Sequence, residues 1–174
     1  ILGTGYYEIN KQGEKKKAYI YPHNDVEIKW KLLIGPIFPH PTVMFRKQVL
    51  IENDIYYNEK FSATQDYELW SRLIQYTEGT NLSLPLIEYR HHSESTSKSD
   101  SVIQENLRLQ ISAQSLTNLT KTRIISSRHA TVFEKVVKYD FESLSVRELK
   151  QGCELFFHVL KKFYMHTYNS SISK

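Results

Sequence analysis

In "FSATQDYELWSRLIQY", residues 61–76, Asp66 is an acid beside an apolar stripe: Tyr67, Trp70, Leu73 and Ile74 recur at spacings of three and four. A carboxylate in the first turn of such a helix, walled by aromatic rings, has the chemistry of a general base, a contribution of about 10²–10⁴ in rate. The same place also suits an acid that only stabilises the helix terminus, because the free backbone amides there favour negative charge. His40 stands between Pro39 and Pro41, which hold the backbone extended around a side chain able to contact a ligand. "YRHH", residues 89–92, closes a strand-like run. Its adjacent histidines point to opposite faces, so at most one joins a given site, and a metal centre needs more ligands than that. Taken singly, each of these residues has a commoner structural explanation.

Several elements must position them. The Asp66 helix is expected to start near Ala63 or Thr64, with Ser62 and Gln65 as a capping box. Residues 1–9 and 17–21 read as strands joined by a polar turn at Gln12-Gly13. The run "KQGEKKK" at 11–17 is read as the solvated tip of that hairpin, in preference to a contact for phosphates or anionic lipid. Asp25 to Ile34 reads as a helix capped by Asn24, with Val26, Trp30, Leu33 and Ile34 on one face and Gly35-Pro36 as its stop. Thr42 to Phe45 reads as a short buried strand, and "QVLIENDIYYNEKF" as a brief helix followed by an irregular connection. Residues 79–92 read as a strand that Pro85 breaks or places at an edge.

Residues 92–101 carry no apolar side chain and read as a loop. Beyond it the pattern is helical at 101–117, 130–138 and 146–168. Ser145 and Glu148 cap the last of these, and Leu149, Cys153, Phe156, Phe157, Leu160 and Tyr164 form its apolar face. The first part is therefore mixed α and β and the rest all helix, with the boundary at 93–101.

The composition is that of a folded chain: 174 residues, 40% hydrophobic and 24% charged. That length suits one domain, or one domain with an extension. No apolar run approaches the length of a membrane span. The single cysteine, Cys153, excludes an intramolecular disulfide and a Cys-rich zinc site, and fits a reducing compartment. The net charge is +4, but the basic residues do not line up on one predicted face, so a nucleic-acid partner is set aside. The chain opens on an apolar strand with no initiator methionine and reads as a piece of a longer protein.

The motifs in series say more than each does alone. "HPTVMFRK", then "YYNEKFSATQDYELWSRL", then "NLSLPLIEYRHHSESTS" resembles the second half of bacterial family-two glycosyltransferases, inverting enzymes of the GT-A fold. The similarity runs over residues 1–98, with the opening "ILGTGYYEINKQGE" matching the hairpin that follows the family's nucleotide-binding half. It implies an α/β fold: the C-terminal half of a GT-A-like mixed sheet with flanking helices at 1–98, then an all-helical tail at 99–174. It also implies that Asp66 is the catalytic base, with His40, Gln65, Trp70, Arg72 and Arg90 on the substrate side. His92 would lie near the metal and diphosphate. The partners implied are a nucleotide-sugar donor and a glycan or lipid-linked acceptor, as in cell-surface polysaccharide synthesis.

The family's Asp-x-Asp motif, which holds Mg²⁺ or Mn²⁺ on the diphosphate, would lie upstream of Ile1, so the chain alone is expected to be inactive. Gln65 replaces the commoner Glu beside the base. The resemblance places the protein in the cytoplasm, at the inner face of the membrane. A competing reading is a non-catalytic interaction module. In it the helical tail docks a partner, a second copy of the chain or an anionic membrane.

Overall fold

The computed structural model describes residues 1–90, 101–121 and 125–172. Two units divide at Leu107/Arg108. The first is mixed α/β around a three-stranded mixed sheet, and the second is helical.

In the first unit, β1 (Leu2–Ile9) is the central strand of the order β2-β1-β3. It pairs antiparallel with β2 (Lys15–Tyr19) and parallel with β3 (Thr80–Arg90). Gly13 closes the β1–β2 hairpin at φ 87°, a left-handed conformation that glycine adopts without strain. Lys15, Lys16 and Lys17 belong to β2 itself and not to the tip, a correction to the expected start at residue 17. The Lys15 ammonium lies over the Tyr7 ring at 4.2 Å and that of Lys17 over Tyr19 at 4.7 Å, so neighbouring aromatic rings hold the two lysines against the hairpin. Pro85 sits opposite Gly5 where the parallel register shifts, which is where a residue without an N–H disturbs the ladder least.

α1 (Asp25–Lys31) starts where expected, with the Asn24 side chain accepting from the amides of Val26 and Glu27. Its buried face is turned from the expected one. Ile28 is inaccessible and Leu32 and Leu33 are buried, while Val26 is exposed. The Tyr67 hydroxyl donates to the Leu32 carbonyl, which fixes that rotation.

The expected strand at Thr42–Phe45 does not form. Residues His40–Thr42 make a 3₁₀ turn with Pro41 in its first turn, where the proline φ fits, and only the bridge Leu2↔Met44 follows. Met44 and Phe45 are exposed, not buried. α2 (Lys47–Glu52) and a second 3₁₀ turn, Glu59–Phe61, lead to α3 (Gln65–Leu73). The Ser62–Gln65 capping box is also absent. The turn at Glu59–Phe61 takes up Ser62 as its own C-cap, so Thr64 becomes the N-cap of α3. Tyr67, Leu69, Trp70 and Leu73 are buried and make α3 the central helix of this core, with Phe38, Ile55 and Ile74 around it.

The second unit contains most of α4 (Ser101–Thr120), then α5 (Ser127–Val137) and α6 (Val146–Ile172). Ser145 and Glu148 form the expected box: the Glu148 amide donates to Ser145 Oγ, and Ser145 N and Oγ donate to the Glu148 carboxylate. These bonds, with Arg128, pull the Glu148 carboxyl from 4.5 down to about 2. The buried face of α6 again differs from expectation. Gly152, Val159 and Phe163 face inward, and Phe157, Leu160 and Tyr164 are exposed. Gly152 is the cause: a Cβ there would stand 2.7 Å from Val136 and 2.8 Å from Val132, so its absence lets α5 pack closely against α6. Among the described residues no helix is long and apolar enough to cross a membrane.

Candidate functional site

Asp66 occupies the first turn of α3, half-buried, and its Oδ1 accepts from the Tyr67 amide at 2.8 Å. That bond fixes the carboxylate near the helix terminus, where the amides favour its charge. Thr64, the N-cap, makes no side-chain cap; its buried hydroxyl has no hydrogen-bond partner.

Around α3 the chain gathers an aromatic wall. His40 Nε2 lies 3.2 Å from the Tyr57 hydroxyl, within hydrogen-bonding distance. The His40 ring meets Trp70 edge-on at 6.1 Å between centroids, and Phe45 lies 5.6 Å from Trp70. Burial raises the Tyr57 phenol above its ordinary value of 10, and the negative charge of Asp66 raises it further. The structure thus brings together Asp66, His40 and Trp70, three residues singled out in the sequence, and adds Tyr57 and Phe45. The sequence signal for Tyr57 was the exposed doublet Tyr56-Tyr57 in an irregular segment, where aromatic residues have little structural reason to be.

Trp70 itself is fully buried, and its Nε1 has no hydrogen-bond partner. An unsatisfied buried donor costs about 1–3 kcal/mol. Trp70 forms the floor under the exposed His40.

The remaining candidates are held by the protein in different ways. Gln65 is the first residue of α3 and half-buried. Arg72 clasps Glu68 with two bonds, Nε to Oε1 at 2.8 Å and a terminal nitrogen to Oε2 at 2.7 Å. It also donates to the Tyr56 carbonyl at 2.6 Å, tying the segment that carries Tyr57 to α3. Glu68, buried and unremarked in the sequence, is therefore the anchor of that clamp. Arg90 is placed away from the aromatic wall, donating to the Asn10 and Lys11 carbonyls of the β1–β2 turn at 3.1 and 2.7 Å. His91 and His92 lie outside the described residues.

The donor set for a divalent cation is not found here. Among the described residues no group of three or more His, Cys, Asp or Glu side chains could hold a metal. In the second unit, a hollow of about 340 Å³ lies beside the N-terminal turns of α5 and α6, lined in part by Arg128, His129, Arg147 and Glu148. None of the residues singled out as substrate or metal contacts lines it.

The chain is similar in sequence to a bacterial glycosyltransferase. Identity is 37% over 102 residues, covering 57% of this chain but 39% of the relative. That relative is the O-antigen biosynthesis glycosyltransferase WbnJ of Escherichia coli. The chain thus spans well under half of the relative's length. No protein-family model matches the chain, and no solved structure matches it.

Proposed function

We propose that this chain is the acceptor side of an inverting, family-two glycosyltransferase of the GT-A type, acting in surface-polysaccharide synthesis, with Asp66 as its base. The observation that supports the reading is the meeting of Asp66, His40 and Tyr57 over the Trp70 floor, in a chain similar to an O-antigen glycosyltransferase.

In the proposed reaction an acceptor hydroxyl gives its proton to the Asp66 carboxylate. The freed oxygen attacks the anomeric carbon of a nucleotide sugar in line, and the bond from that carbon to the diphosphate breaks. An alcohol is a poor nucleophile until it loses that proton, so a fixed carboxylate is the minimum requirement. The Tyr67 amide orients Asp66, and its other oxygen takes the proton. His40 and Gln65 line the acceptor's approach, Trp70 supports His40, and Arg72 keeps the Tyr57 segment in place. Arg90 acts on substrate indirectly, by holding the hairpin turn. His92 is assigned to the diphosphate neighbourhood. Mg²⁺ or Mn²⁺ would be held by groups other than the described residues.

The test is Asp66→Asn in the chain expressed with any sequence that flanks it in the gene. Nucleotide-sugar binding should survive while kcat falls by about 10²–10⁴. An unchanged kcat would return Asp66 to the role of a helix-terminus acid. The 174-residue chain by itself should show no transfer with Mn²⁺ present.

One observation favours a second role for the helical unit. Phe157, Leu160, Tyr164 and Met165 leave an exposed apolar ridge on α6, suited to a second copy of the chain or to an anionic membrane surface. Sedimentation separates a dimer from a monomer, and liposome flotation at low and high salt reads membrane binding.

A further inference from the structure

One face of the sheet carries a cluster of tyrosines that the reaction above does not use. Tyr6 and Tyr19 are cross-strand partners, and their rings stack at 4.9 Å with 22° between planes. Tyr89 lies 5.5 Å from Tyr6, and Tyr21 lies 6.3 Å from it. All four are half-buried, so each keeps part of its surface in solvent. The charges among them balance. Glu8 accepts from the Tyr19 hydroxyl at 3.1 Å, and Lys17 sits over the Tyr19 ring.

We propose that this tyrosine layer, Tyr6, Tyr19, Tyr21 and Tyr89 with Glu8 and Lys17, binds a neutral pyranose oligosaccharide: the acceptor chain beyond its reacting end. Such a ligand has apolar C–H faces for aromatic rings and hydroxyls for phenols and a carboxylate, the mixture this face offers. A polyanion would want an excess of positive charge, which Lys17 beside Glu8 does not give. The layer is also tied to the proposed site through a buried hydrogen bond. The Thr4 amide donates to Thr42 Oγ1 at 3.1 Å, in the turn that bears His40. Tyr6 is two residues further along β1, about 7 Å. This inference rests on the glycosyltransferase reading for the word acceptor, but its test does not depend on turnover.

Cellotetraose and chitotetraose, with glucose as control, would be titrated into the 174-residue chain while tyrosine ring resonances are followed by NMR. At least one tetrasaccharide should shift the Tyr6, Tyr19 and Tyr89 rings where glucose does not. Tyr19→Ala should weaken that binding about tenfold, as loss of one aromatic contact implies. Tyr19→Phe, which keeps the ring, should weaken it less. Circular dichroism confirms that each variant is folded, and the ring shifts of the unsubstituted chain need no variant at all. If neither tetrasaccharide moves these rings, or folded Tyr19→Ala binds as tightly as before, the inference is overturned while the Asp66 reading stands. An Asp66→Asn enzyme with full kcat, alongside intact ring shifts, would remove the catalytic reading and leave a glycan-binding face.

Discussion

His40 Nε2 and the Tyr57 hydroxyl stand 3.2 Å apart, joining the turn after Pro39 to the segment that enters α3. Tyr57 is the residue through which that pair feels Asp66. Its phenol is raised above 10 first by burial and second by the Asp66 charge. A raised folded-state pKa means stability that is full below pH 10 and lost as pH climbs through the folded value. Asp66→Asn removes the second cause and leaves the first. The Tyr57 midpoint, followed by ring carbon NMR, should fall but stay above 10. No movement would mean that Asp66 and Tyr57 are not electrostatically coupled.

Arg72 should report on stability as well as activity. Its guanidinium is paired with Glu68, whose side chain is 11% accessible, and with the Tyr56 carbonyl. Arg72→Met leaves that carboxylate without its charged partner, which costs about 1–3 kcal/mol. Urea unfolding would show it, and adding Glu68→Gln should recover part of the loss. Unaltered stability in Arg72→Met would show that the clamp is not maintained in solution.

Glu148 makes the second unit sensitive to acid. Its carboxyl titrates near 2 in place of 4.5, because Ser145 and Arg128 bond the charged form. The depressed value gives stability that is complete above pH 4.5 and disappears as pH falls through about 2. Ser145→Ala should move the Glu148 titration upward and shift the acid unfolding of α6 to higher pH. Carboxyl NMR and circular dichroism read the two effects separately.

Gly152→Ala sets two effects against each other. Alanine is better in a helix by about 1 kcal/mol. Overpacking, however, costs about 1–3 kcal/mol, and the new methyl would meet valine side chains at 2.7 and 2.8 Å. The clash should win and Tm should fall. A rise in Tm would mean that α5 moves aside at little cost.

Local rules carried far in this chain where capping chemistry or alternation decides the outcome. Asn24 caps α1, Ser145 and Glu148 box α6, and Asp66 falls in the first turn of α3. They failed where a contact distant in sequence sets the rotation of a helix. Gly152 adds nothing to an apolar pattern, yet it is the point where α5 and α6 approach, so the buried face passes through Val159 and Phe163. Tyr67 similarly draws Leu32 inward from across the unit. At the candidate site, His40, Trp70 and Asp66 were legible as residue types in place. Tyr57 was not, because its partner His40 comes from another turn of the chain, and Glu68 was not, because its burial depends on how α3 packs although its partner Arg72 is local.

The parallel pairing of β1 with β3 sets an order on folding. Leu2 pairs with Thr80, and the Ile1 amino group donates to the Glu78 carbonyl, so the two strands close a loop that contains His40, Tyr57, Asp66 and Trp70. Closing so long a loop carries an entropy cost before any contact rewards it, and non-local pairing of this kind is slow. The first unit should therefore refold more slowly than the helical one, with Phe38, Leu69 and Leu73 of its core uncovered in the interval and prone to self-association. Stopped-flow refolding should show Trp70 fluorescence lagging behind the recovery of helix, because its surroundings are complete only when the ends of the loop have met.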